Sequence, residues 1–128
     1  MASTFRNLRY ARIVLTALVV MSPTAAYAAD SRFQRLSATS LRSTLIGKTV
    51  TDDAHWVDRF LLDGVLDSVE LGESRRGTWG IEHGELCLTR KARRPVKECF
   101  EVWKKEDRIE YRRDGITVLA GVLRDHVR

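Results

Sequence analysis

From Lys48 onward, turn signals cut the chain into pieces too short for ordinary helices. Asp52-Asp53, Asp63-Gly64, His83-Gly84 and Asp114-Gly115 each lie between runs of alternating apolar and polar residues. An Asp-Gly pair in that setting is a strong hairpin signal, because the tightest hairpin turns need positive φ at both central residues. The spacing predicts eight strands, at 48–51, 56–62, 65–71, 77–82, 85–89, 96–103, 108–112 and 116–123. Tight turns force antiparallel neighbours. A sheet of eight twisted strands curls and closes, which removes its exposed edges. The expected fold is mostly β: an antiparallel up-and-down eight-stranded small barrel. An open meander or a two-sheet sandwich is the alternative topology.

A short helix precedes the strands. Ser37 is an N-cap residue, Leu36 and Leu41 are spaced as a hydrophobic staple, and Gly47 is placed to end the helix. Leu41, Leu45 and Ile46 form its apolar stripe. About two turns of helix need a surface to pack on. The narrow lumen is expected to be filled by Trp79, Phe100, Tyr111 and aliphatic residues. Along 56–62, Trp56, Phe60 and Leu62 share a face. Along 65–71, Val65, Val69 and Leu71 alternate against Leu66, Ser68 and Glu70.

The first 29 residues have the pattern of an export signal. Arg6, Arg9 and Arg12 precede nine mainly apolar residues from Ile13 to Met21, Pro23 interrupts them, and Ala26-Tyr27-Ala28 is a small-x-small cleavage pattern. The apolar run is about half of the roughly 20 residues that a membrane helix needs. The expected organisation is a cleaved signal peptide at 1–29, a polar lead-in at 30–35 and one domain at 36–124. The protein is then periplasmic or secreted, without a stable membrane span. Single-domain length excludes a TIM barrel or a two-domain dehydrogenase.

Export changes the charge argument. The chain has 22 Lys+Arg and 17 Asp+Glu, and three of the arginines fall in the signal. The remainder carries only +2, which gives little reason to expect nucleic acid as a partner. Export also bears on Cys87 and Cys99, the two cysteines of the chain. In an oxidising compartment an even pair reads as a disulfide. A metal pair or a reactive thiol is the alternative, and neither has supporting ligands at the right spacing. Each cysteine is out of phase with the apolar residues beside it, so both are expected to point away from the lumen on adjacent strands.

The order of several segments resembles a family of small exported bacterial proteins with a lipocalin-like barrel. The matching pieces are Leu45-Ile46-Gly47-Lys48-Thr49-Val50, Asp63-Gly64, Gly77-Thr78-Trp79-Gly80-Ile81, Gly84-Glu85-Leu86-Cys87-Leu88 and Cys99-Phe100-Glu101-Val102. They span roughly residues 36–115. They are turn glycines, a core tryptophan and the cysteine pair, so the resemblance implies a fold rather than an activity. The layout is also similar to that of exported inhibitors of metalloproteases and of lysozyme.

The side chains offer few catalytic arrangements. His55, His83 and His126 have no second histidine at ligand spacing. His55 with Asp52 and Asp53 reads as a polar loop, and His83 as a turn residue. No nucleophile elbow, phosphate-binding glycine loop or calcium loop is present. Glu82, Glu85 and Glu101 read as solvated strand faces. No enzyme activity, cofactor or metal is expected. The outstanding segment is Arg90-Lys91-Ala92-Arg93-Arg94-Pro95-Val96-Lys97, with five basic residues in eight. Arg90, Lys91, Arg93, Arg94 and Lys97 are candidate binding residues, joined by Trp103, whose phase matches Cys99 and points outward. The expected function is a non-enzymatic exported binding module for a protein, or for an anionic polysaccharide or lipid of the cell envelope. The alternative is a carrier of a small apolar ligand at the barrel mouth.

Overall fold

The computed structural model describes residues 32–126. The export signal read at 1–29 lies outside the described residues. The elements are β1 (Gln34–Arg35), α1 (Ala38–Leu45), β2 (Lys48–Thr51), β3 (Trp56–Phe60), β4 (Val65–Glu70), β5 (Glu73–Ser74), β6 (Gly77–Glu82), β7 (Glu85–Thr89), β8 (Lys97–Lys105), β9 (Arg108–Arg113) and β10 (Ile116–Asp125).

The eight longer strands form a closed antiparallel barrel. The order β8-β7-β6-β4-β3-β2-β10-β9 returns to β8, so each strand pairs with its neighbour in sequence and β10 closes on β2. Leu123 opposite Val50 and Arg124 opposite Thr49 set the closing register. Closure leaves the barrel strands without a free edge.

Side-chain alternation divides each wall. Leu86 and Leu88 of β7, Phe100 and Val102 of β8, and Ile109 and Tyr111 of β9 are all buried. Trp79 meets Phe60 edge to face at 5.4 Å, and Phe100 stacks on Tyr111 at 5.6 Å. Helix α1 plugs one end of the barrel. The Ser40 backbone N–H donates to the Ser37 hydroxyl at 3.3 Å, and Leu41 and Leu45 are fully buried. Gly47, with φ at +70°, ends the helix and donates its N–H to the Phe60 carbonyl at 2.7 Å. The helix is therefore tied to the barrel rim at the point where it stops.

Several boundaries differ from the spacing-based expectation. Gln34–Arg35 is not a loose lead-in: it pairs with β8 opposite Lys104 and Trp103. Strand β3 stops at Phe60, which leaves Leu62 78% exposed in the following turn. Leu71 lies in a turn with φ at +48°, not in the strand. The inward residues of β4 are Leu66 and Ser68, and Val65 and Val69 face outward. Apolar identity misleads there, because the lumen at that level is polar.

Candidate functional site

The plugged end and the open end of the barrel differ in chemistry. Near α1 the lumen is apolar. Further along, β3 and β4 turn Asp58 and Ser68 inward, and both are almost wholly buried. Ser68 donates its hydroxyl hydrogen to Asp58 Oδ1 at 2.6 Å. Arg90, the first residue after β7, enters the lumen rather than standing in solvent. Its Nη2 donates to Asp58 Oδ2 at 2.7 Å and its Nε to Ser68 Oγ at 3.2 Å. The Tyr111 hydroxyl reaches Asp58 Oδ2 at 3.5 Å. Burial raises the Asp58 pKa, against the opposing pull of Arg90 and the hydrogen bonds. Burial and the nearby Asp58 charge push the Tyr111 pKa up. The Ser68 proton is committed to Asp58, so this group makes a polar floor with satisfied hydrogen bonds rather than an activated nucleophile.

Above that floor the barrel opens into a pocket of about 400 Å³. Trp56, Phe100, Val118 and Leu119 supply apolar wall, and Arg75, Lys91 and Arg94 stand around it with Arg90. Trp56 is fixed by Tyr111, with ring centroids 5.8 Å apart. Two interruptions of regular pairing shape the rim. One lies between Thr117 and Leu119 on β10, leaving Val118 nearly half exposed. The other lies at Arg75 and Arg76, between β5 and β6. There the Arg75 N–H donates to the Ser68 carbonyl at 2.6 Å. Bulges re-aim side chains in this way and recur beside functional sites.

The structure splits the candidate binding residues among three places. Arg90 sits on the pocket floor. Lys91, Arg93 and Arg94 stay exposed on the loop between β7 and β8. Lys97 lies on the outer wall, where its Nζ bonds Glu82 at 2.7 Å and lowers that carboxyl's pKa. Trp103 lies beside the N-terminal segment: it pairs with Arg35 in register, bonds Glu101 at 3.1 Å, and is covered by the Arg112 guanidinium at 4.4 Å. Lys97 and Trp103 are thus separate from the pocket. Sequence reasoning missed Asp58, Ser68 and Arg75. For Asp58 the available signal was its period-two phase with Trp56 and Phe60.

The disulfide is present. Cys87 and Cys99 face each other across β7 and β8, with Cα atoms 4.0 Å apart. Glu82 lies within 4.8 Å of both sulfurs, but sulfurs bonded to each other offer no thiolate to a metal. His55 is held by Asp52 at 2.8 Å. The Asp52 carboxylate also accepts from the backbone N–H groups of Ala54, His55 and Trp56. Those bonds, led by the one from His55, hold its pKa well below the usual carboxylate range. The 52–55 loop is therefore held by its own bonds and, through Asp53, by Arg124 of β10. Among the described residues, no helix is long and apolar enough to cross a membrane.

Comparison with protein-family models, curated proteins and solved structures gives no match for this chain. The likeness to exported lipocalin-like barrels therefore rests on the residues quoted above.

Proposed function

We propose that this protein is an exported, non-enzymatic binding module whose open barrel mouth takes an anionic partner of the cell envelope. The partner is an acidic protein face, or an anionic polysaccharide or lipid. One observation carries this reading. Arg76, Lys91, Arg93 and Arg94 are exposed at one side of the mouth, and none of them has an acidic partner among the described residues. The Lys91 N–H donates to the Arg76 carbonyl at 3.2 Å, which joins the two segments. By contrast, Arg59, Lys97, Arg112 and Arg113 each lie against a carboxylate, although Lys104, Lys105 and Arg108 at the turn between β8 and β9 do not. Uncompensated cations clustered on one rim concentrate positive potential where a polyanion can approach. The export pattern in the sequence supports an oxidising compartment, with which the disulfide is compatible, and such polymers and membrane surfaces are met there.

Binding of the purified oxidised protein to immobilised heparin, a model anionic polysaccharide, tests the reading. Retention should weaken steadily with added salt. It should disappear when Arg76, Lys91, Arg93 and Arg94 are all replaced by Gln, and neutral dextran should retain nothing. Retention of the four-fold variant equal to that of the native protein would overturn the assignment to this rim. So would failure of the native protein to bind heparin, anionic vesicles and an acidic protein column at low salt.

A further inference from the structure

The mouth contains a feature that a polyanion-binding rim does not require. Arg75 Nε is buried and has no hydrogen-bond partner, the single such side-chain atom among the described residues. The residue is anchored elsewhere: Nη2 bonds Glu73 at 2.9 Å, and the backbone N–H donates to the Ser68 carbonyl. Nε itself is closed to a ligand, and the side chain meets solvent elsewhere, at 38% exposure. A guanidinium that is charged and held in place selects an anionic oxygen.

Arg75 also lines the 400 Å³ pocket. That volume lies within the range of small-ligand sites, roughly 300–1,000 Å³. Phe100, Trp56, Leu119 and the outward-bulged Val118 make an apolar bed beside the charged edge. The pocket is not uniformly cationic. Glu70 and Glu98 share its lining, and Arg90 already faces Asp58 and Glu98. With those charges present, a singly charged head fits better than a doubly charged one.

We propose that the mouth pocket is a binding site for a small amphiphilic monoanion. Its carboxylate or sulfonate oxygens meet the accessible part of the Arg75 guanidinium, and its apolar body lies over Phe100, Trp56 and Val118. This deepens the anionic-partner reading and depends on it only for the sign of the charge. Arg75 and Val118 are distinct from the four rim cations.

One fluorescent dye and two competitors test it. The native oxidised protein is titrated with 8-anilinonaphthalene-1-sulfonate, and the bound dye is then displaced by decanoate or by decanol. Saturable binding of one dye per chain is expected, with displacement by decanoate at least about tenfold more effective than by decanol. Arg75→Gln should weaken decanoate about tenfold and leave decanol unchanged. Val118→Trp, at an exposed position, should block dye binding by filling the pocket. Both variants should keep the native thermal midpoint within a few degrees, and that midpoint certifies the fold. Displacement by decanol as strong as by decanoate would overturn the proposal in favour of a purely apolar site. Unaltered dye binding in Val118→Trp would place the dye elsewhere. Heparin binding retained by Arg75→Gln and Val118→Trp, with no decanoate binding by the native protein, would sink the pocket and leave the rim reading standing.

Discussion

Arg90 Nη2 lies 2.7 Å from Asp58 Oδ2, joining residues 32 positions apart in sequence inside one barrel. The Asp58 side chain is 1% exposed and that of Arg90 18%. The contact anchors the first residue of the basic loop to the lumen wall, so the loop leaves the barrel from a fixed point.

Breaking that pair from either side should cost about 3 kcal/mol, because each single replacement strands a buried charge. Asp58→Ala and Arg90→Ala, compared by urea unfolding, should each lose about this much. The double variant should lose clearly less than the two losses added together. Strict additivity would show that the two side chains are energetically independent.

The Asp58 carboxyl also predicts a pH dependence. Its folded pKa is raised, chiefly by burial, above an unfolded value of about 3.9. Between the two values the folded protein holds more protons than the unfolded chain, so this contribution to stability grows as the pH falls and is lost as it rises. Asp53, Glu82 and Asp125 have lowered pKa values, held down by Arg124, Lys97 and Lys48. Their contribution runs the other way and is lost as the pH falls. Those three groups persist in Asp58→Asn and cancel in the comparison. The native protein should therefore gain unfolding free energy relative to Asp58→Asn as the pH is lowered from 7 toward about 4. A constant or shrinking difference would contradict the raised pKa.

The Cys87–Cys99 bond closes a loop with a sequence separation of 12. In the chain-entropy model such a loop contributes about 3 kcal/mol. Replacing both cysteines by Ser should lower the chemical denaturation midpoint accordingly, and adding reductant to the native protein should do the same. A midpoint indifferent to reductant would show that the bond contributes nothing.

Gly77 and Gly80 offer a matched pair on β6. A Cβ at Gly77 would fall 1.7 Å from the Thr89 carbonyl oxygen, whereas one at Gly80 meets nothing within 4 Å. Gly77→Ala should destabilise by about 3 kcal/mol, since two strands must move apart. Gly80→Ala should be neutral or slightly stabilising by restricting the unfolded chain. Thermal unfolding of the two variants separates these outcomes, and equal midpoints would refute the close approach.

Much of the scaffold is legible in the residues. The Ser37 cap, the Leu41 and Leu45 stripe, and the turns at His83-Gly84 and Asp114-Gly115 follow from local preference. The alternation at Leu86-Cys87-Leu88 predicts both the lumen face and the outward cysteines. Leu62 and Leu71 read as strand residues but stand exposed in turns, because a turn can begin before an apolar run ends. Trp103 reads as exposed but is flanked by Arg35 of β1 and covered by Arg112 of β9. The basic octet reads as one surface. In the folded chain it divides into a partly buried arginine, an exposed loop and an outer-wall lysine.

Local signals alone determine the strand order, the helix that precedes it and the cysteine pairing. Hairpin turns bring neighbouring segments together, and period-two alternation decides which side chains share a face. Only closure of the barrel decides that Asp58, Ser68, Arg90 and Tyr111 meet. These four come from β3, β4, the end of β7 and β9, and their contact depends on wall curvature and register around the whole circumference. The open pocket, with Arg75 on its lining, is decided by the same closure. It lies where the apolar filling stops and a buried charge pair takes over.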